Sequence, residues 1–310
     1  MSRRSRISAT LCLGFAMLIG LTWAAVLGRT RTVSVGDDVT MLQTRGLLGP
    51  IGANVVVVTD VEASLVVDAQ LGPLGRRIQT KLSRLGGGPT RYLVNTHWHP
   101  DHTGGNESIQ VGGEIVAHAS VRTRRSSPQE GFSLTKPGSH HDFSPLPGPA
   151  LPSRFIDQRA ILTVGDIAVE VRHFPAAHTD GDLAVYVPSA GVVIVGDLVW
   201  PGSFPFIDTP TGGTAAGLAG ALDDLVAWVA RGTSVVPGHG DVMSYEEFLD
   251  YRQFVHDATE AVGRLRDRGE SLGAAQGVGL PQEFERWSSR LVPTEEWIRM
   301  VYGSTPDGAN

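Results

Sequence analysis

The sequence predicts an α/β protein built as a four-layer αβ/βα sandwich, two sheets face to face with helices outside. Three observations carry this. Short apolar runs bounded by Gly, Pro and Asp recur along the chain, as half-buried and fully buried strands do. They come in two successive groups, each with amphipathic helices after its strands. The composition, 41% hydrophobic and 19% charged over 310 residues with 38 Gly and 19 Pro, is that of a large globular core with many turns.

In order, "VTMLQTRG" and "GANVVVVTD" read as strands with "LLGPIG" turning between them. "ASLVVDAQ" is a further strand ending at Asp68, and "PLGRRIQTKLSRLGG" is an amphipathic helix closed by glycines. "RYLVNT" is a strand running into "HWHPDH", and "GEIVAH" with "ASVRTRR" supplies another strand and a short helix. Residues 126–152 carry six prolines and no periodicity, which predicts a long surface excursion with His140 and His141 as a solvated pair. The second group repeats the rhythm. "AILTVGDIAVEVRHFP" is a hairpin turning at Gly165-Asp166, "DLAVYVP" and "GVVIVGD" are paired strands, "GGTAAGLAGALDDLVAWVARG" is a helix ending at Gly232, and "TSVVPGHG" is a strand. The domain organisation expected is a leader over 1–30, the sandwich domain over 31–243 and a helical extension packed on it over 244–310.

The leader has Arg3, Arg4 and Arg6 before 22 uncharged residues, Ile7 to Gly28. That is the layout of a secretory signal or a signal anchor, and it is long enough to span a bilayer. Export is expected, as a membrane-anchored protein facing outward if the segment stays, or a secreted or periplasmic one if it is cleaved. The single cysteine, Cys12, lies inside it, so the rest of the chain has no disulfide and no thiolate ligand. The formal charge is -6, and without the three leader arginines it is -9, from 23 basic and 32 acidic side chains. With no basic cluster, nucleic acid is not an expected partner. No protein partner is inferable.

Three of the ten histidines fall within six positions, His97 to His102. On an extended strand end, His97 and His99 point one way and Trp98 the other. Pro100 then breaks the run so that Asp101 and His102 turn back. Imidazoles with a carboxylate suit zinc, manganese or ferrous iron, and six residues supply part of two adjacent sites more readily than one closed site. Completing ligands are expected at other strand ends: His178 in "FPAAHTDGD", Asp197 in "VVIVGD" and His239 in "VVPGHG", each beside the small residues that let a turn approach an ion.

"THWHPDH", "HTDGD", the "GD" after an apolar strand and "PGHG", in this order, resemble the metallo-β-lactamase superfamily of dinuclear metallohydrolases over about Val33 to Asp241. The resemblance implies two divalent ions, zinc first among the candidates with iron or manganese as alternatives. His97, His99 and His178 would hold one, Asp101, His102 and His239 the other, and Asp197 would bridge them. It implies hydrolysis of a small carbonyl substrate (ester, lactone, thioester or β-lactam) by water activated between the ions, with Asp101 orienting that water. Aspartate at position 197 resembles the glyoxalase-II-like and lactonase-like branches, whereas β-lactam-hydrolysing branches commonly carry another residue there. "HTDGD" departs from the "HTPGH" of glyoxalase II, and the tail shows no Lys/Arg cluster for glutathione. Two other classes stand beside the hydrolase: an iron-dependent sulfur dioxygenase of the same fold, and a metal-binding protein without turnover.

Supporting roles follow from position. Asp68, Asp180 and Asp182 are candidates to orient ligand imidazoles, and Asn95 and Thr96 to support the loop. Trp200, Phe204 and Phe206 are candidate substrate contacts and Trp98 a prop behind the ligands, and the family resemblance implies an apolar flap at Leu47 to Ile51.

Overall fold

The computed structural model describes residues 28–46, 49–109, 111–132 and 140–304. The leader and residues 47–48 of the expected flap lie outside the described residues, as do the side chains of His140 and His141. No helix among the described residues is long and apolar enough to cross a membrane.

The first sheet contains β1 (Arg29–Gly36), β2 (Val39–Gly46), β3 (Gly49–Pro50), β4 (Val55–Thr59), β5 (Ser64–Val67), β6 (Thr90–Val94), β7 (Val111–Ala117) and, after a two-stranded ribbon of β8 (Gln129–Phe132) and β9 (His140–Phe143), β10 (Arg154–Phe155). Its order is β1-β2-β4-β5-β6-β7-β10, with β3 paired to β2. The second is β11 (Arg159–Val164), β12 (Ile167–Phe174), β13 (Asp182–Val187), β14 (Val192–Gly196) and β15 (Ser234–Pro237), in chain order. The helices are α1 (Gly72–Leu85), α2 (Pro100–Thr103), α3 (Ala119–Arg125), α4 (Ala215–Trp228), α5 (Tyr245–Asp267), α6 (Leu272–Val278) and α7 (Thr294–Gly303).

Three buried clusters define the layers. Leu74 and Ile78 are buried on one face of α1, and Ile78 and Leu82 pack with Leu42, Val55, Val57, Val66 and Leu93 of the first sheet. The opposite face of that sheet, with Val56, Val58, Leu65, Val67 and Val94, meets Leu162, Val169, Val171, Val185 and Ile194 of the second. The far face of the second sheet, with Tyr186, Val193 and Val195, packs on Leu218, Leu222 and Leu225 of α4 and on Tyr251, Phe254 and Val255 of α5. Alternation along each strand therefore feeds two cores at once, which produces the four layers. Tail residues Trp297, Ile298 and Val301 of α7 enter the same cluster, so the C-terminal helices share a core with the second sheet. Helix α5 opens with a full capping box, in which the Ser244 side chain accepts from the Glu247 amide and the Glu247 carboxylate accepts from the Ser244 amide.

Three sequence expectations need correction. Strand β1 was not expected, because its alternating Arg, Thr and Ser leave little apolar signal; antiparallel pairing with β2 holds it. The excursion after Ser126 contains the β8–β9 ribbon and a 3-10 turn at Gly148–Ala150 instead of being structureless throughout. Helix α4 stops at Trp228, short of Gly232, because Val229 turns to extended backbone.

Candidate metal centre

Strands β5, β6 and β7 run parallel, as do β14 and β15, so the loops that follow them gather at one edge of the sandwich. Gly196 allows the close approach there. It has φ +51°, and a Cβ on it would lie 2.8 Å from Thr96 Cβ.

On this edge the structure brings together all seven side chains expected from the sequence, in two groups. His97, His99, His178 and Asp197 form one, and Asp101, His102 and His239 the other; the ligand atoms within each lie within 4.8 Å of one another. In the first, His97 Nε2 is 2.9 Å from His99 Nδ1, His178 Nε2 is 3.0 Å from His99 Nδ1, and His178 Nε2 is 3.2 Å from His97 Nε2. Three nitrogens on a tetrahedral ion with bonds of about 2.0 Å stand about 3.3 Å apart. The tripod has nearly that geometry already.

In the second group His239 Nε2 is 3.2 Å from Asp101 Oδ2, and His102 Nε2 is 3.9 Å from the same oxygen. Asp101 and His102 reach it because Pro100 starts the one-turn helix α2, as the sequence suggests. Asp197 stands between the groups. Its Oδ1 is 3.3 Å from His102 Nε2, and its Oδ2 is 3.4 Å from His239 Nε2 and 3.8 Å from His178 Nε2. His102 Nε2 and Asp197 Oδ1 are both buried and have no hydrogen-bond partner. Buried polar atoms are rarely left so, and a cation between them satisfies both. The donor set, imidazoles with carboxylates and no thiolate, fits a pair of divalent ions.

Electrostatics separate the groups. Burial, reinforced by neighbouring imidazoles, holds His97 well below the usual histidine range and brings His178 down to about 4. These rings present lone pairs at neutral pH. Burial also opposes charge on His239 and His102, but the surrounding carboxylates override it, raising His102 and pushing His239 up to about 10. Burial likewise opposes charge on Asp101, yet His102 and His239 bring it down to about 2. An ion entering this second group must therefore expel imidazole protons, whereas His97 and His178 of the tripod have none to give up. Affinity at the second group is expected to rise about tenfold per pH unit for each proton displaced, from neutral pH toward pH 10, and affinity at the tripod to rise less steeply. Calorimetric titration in buffers of different ionisation heat reads this directly; two ions binding with equal proton release would contradict it.

Three of the rings, those of His102, His178 and His99, have an acceptor behind them. Asp68, at the end of β5, accepts from His102 Nδ1 at 2.7 Å and from the Thr96 amide and hydroxyl at 2.8 Å each, as expected for that position. The Phe206 carbonyl lies 2.7 Å from His178 Nδ1. Asn95 donates to the His102 carbonyl and exchanges bonds with Asn106, so it supports the loop. Asp208 accepts from His99 Nε2 at 3.0 Å, which leaves Nδ1 to face the tripod; sequence reading missed it. It is brought down to about 2, against burial, by the His99 bond. Asp180 and Asp182 do not orient imidazoles. Asp180 forms a two-pronged ion pair with Arg124, and Asp182 accepts from the Thr179 amide and hydroxyl, bracing the turn after His178. These partners turn both carboxylates away from the ligand rings. Replacing Asp208 with alanine is expected to weaken ion binding at the tripod by about 10–100-fold and spare the other group, measurable by chelator competition.

The aromatic candidates divide. Trp200 lies over His239 at 5.0 Å between ring centroids, and Phe206 lies 5.8 Å from His178 and 6.2 Å from His99, both partly buried. Phe204 does not line the cleft: it is fully buried and stacked on Trp297, 5.3 Å away, because α7 offers it an aromatic partner in the core behind the loop. Trp98 packs with Ala117 and Val121 and lies 4.7 Å from the His99 ring, as a prop. The loop from Asp197 to Asp208 is tied to the tail. The Trp200 amide donates to the Tyr251 hydroxyl at 3.1 Å, the Phe204 amide to the Trp287 carbonyl at 2.9 Å, and Ser203 Oγ to Ser289 Oγ at 2.8 Å.

Comparison with known proteins agrees with this architecture. Residues 48–257 match the family model described as the metallo-beta-lactamase superfamily. A hydroxyacylglutathione hydrolase of Erythrobacter litoralis (strain HTCC2594) is 29% identical over 122 residues, 39% of this chain and 38% of that protein, so the chain spans well under half of that relative. The acyl-coenzyme A thioesterase MBLAC2 of Gallus gallus is 26% identical over 228 residues, 68% of this chain and 81% of that one. Among solved structures, a metallo-beta-lactamase from Pontibacter korlensis superposes with a TM-score of 0.59 at 16% identity, covering 74% of this chain and 99% of that one. The sec-alkylsulfatase Pisa1 from Pseudomonas sp. gives 0.67 at 17%, covering 89% and 50%. At such identities the structures show a shared fold alone.

Proposed function

The chain belongs to the metallo-beta-lactamase superfamily, and from that membership and the geometry of its two ligand groups we propose that it is an exported dinuclear zinc hydrolase acting on a small carbonyl substrate, an ester or thioester with an apolar acyl part. The observation that carries the reading is Asp197, one buried carboxylate that reaches imidazoles of both groups, with Oδ1 toward His102 and Oδ2 between His239 and His178. A pair of divalent ions supplies acidity to a shared water and polarises a carbonyl.

The chain's own residues do the rest. Asp101, kept ionised, accepts the proton-bearing side of a water placed between the groups and orients its lone pair toward the substrate. His239 shares Asp101 and Asp197 and holds both carboxylates in place. Trp200 and Phe206 flank the two groups and exclude water from the acyl side of the cleft. The named relatives that act on thioesters support the substrate class. Export rests on the arginine-led apolar leader.

The test is a panel of acyl thioesters, esters, lactones and β-lactams assayed on the purified chain with its metal content measured alongside. Two zinc equivalents with acyl-ester or thioester turnover support the proposal. One iron equivalent with oxygen uptake, or a fully loaded protein inert across the panel, overturns it.

A further inference from the structure

The leader's apolar stretch ends at Gly28, and Arg29 already stands in β1, so no linker separates the two. Twenty or so apolar residues cross a bilayer, and Ile7 to Gly28 is long enough. If that stretch enters a membrane, whatever surrounds Gly28 must lie on the membrane surface.

What surrounds Gly28 is basic. Its carbonyl accepts from Arg77 Nη1 of α1 at 2.8 Å. Its φ is +65°, and a Cβ on it would strike the Arg45 carbonyl at 2.4 Å, so it sits tightly between α1 and the end of β2. Arg29 is exposed and pairs across the strands with Arg45. Helix α1 presents Arg76 and Arg84 as exposed residues and Lys81 as a half-buried one. From Ala69 to Pro100 the sequence has no Asp or Glu, in a chain whose net charge is -6. Local acids subtract from this face: Asp241 pairs with Arg31 and Arg45, Glu107 lies exposed on the 3-10 turn next to α1, and the turn of Asp60 and Glu62 lies against Gly87 and Gly88 just past the end of α1. Arg29, Arg76, Lys81 and Arg84 have no recorded acidic partner among the described residues.

We infer that this face, formed by α1 and the β1–β2 end around Gly28, docks on the headgroups of an anionic phospholipid bilayer. The inference rests on the export part of the proposed function, with the leader kept as a membrane anchor, and is independent of the hydrolytic part. Each basic side chain near an anionic surface strengthens the contact about fivefold, and salt screens it within about 10 Å.

The chain offers a direct probe, since its two lysines are Lys81 on α1 and Lys136. The full-length protein is reconstituted into nanodiscs of phosphatidylcholine alone or mixed with phosphatidylglycerol and treated with an amine acetylating reagent. The modification rate of Lys81, referred to Lys136, is expected to drop about tenfold in the anionic discs and to recover in high salt. The R29Q/R76Q/R84Q variant, which touches no residue of the metal centre, is expected to remove the difference while keeping its metal content. A chain that enters both kinds of disc with an unchanged Lys81 ratio overturns the docking and leaves insertion standing. A chain that enters neither overturns insertion and the docking with it, and neither result bears on hydrolysis.

Discussion

In an Asp197→Asn variant both ions are expected to bind more weakly together, and hydrolysis to fall by about a thousandfold. The amide keeps the shape of a side chain that is 4% exposed, so the fold should change little. What changes is charge and symmetry. Asp197 offers one oxygen toward His102 and the other toward His239 and His178, and an amide replaces one of these by a donor facing a ligand nitrogen. Ion equivalents per chain, measured beside turnover, decide the matter. Loss of one equivalent alone would show that Asp197 serves a single ion.

His99→Ala should give the complementary pattern, loss of one ion with the other retained, and a similar fall of about a thousandfold in turnover. His99 Nδ1 is the corner of the tripod nearest to both other nitrogens. Its removal also strips Asp208 of its imidazole, and leaving a largely buried carboxylate short of a partner costs about 1–3 kcal/mol. The melting temperature should therefore fall as well, which separates this variant from Asp197→Asn. Turnover equal to that of the unaltered protein would refute the ligand assignment.

The layers were legible because each apolar run carries its own periodicity, and the metal cluster because His97 to His102 compresses three imidazoles and a carboxylate onto one strand end. His178, Asp197 and His239 were legible for a related reason: each follows an apolar strand and has small neighbours. Asp68 fits that rule and proved to support His102. Asp208 does not fit it: it follows "FPFI" in a loop without strand or helix periodicity, 109 positions from the ring it holds. Asp180 and Asp182 carried no positional signal beyond nearness to His178, and nearness in sequence does not aim a side chain. Strand β1 was illegible because pairing, which a linear pattern does not display, is what makes it a strand.

The loop from Asp197 to Asp208 has a consequence for how this protein can change. One short peptide holds the shared carboxylate, two hydrophobic walls, the carbonyl behind His178 and the acid behind His99, and it hangs from Tyr251, Trp287 and Ser289. Cleft shape and ion retention are thus tied to a single peptide: a replacement that reshapes the wall at Trp200 or Phe206 is expected to disturb loading as well. Natural variation in preference should accordingly track compensating changes in the distant tail.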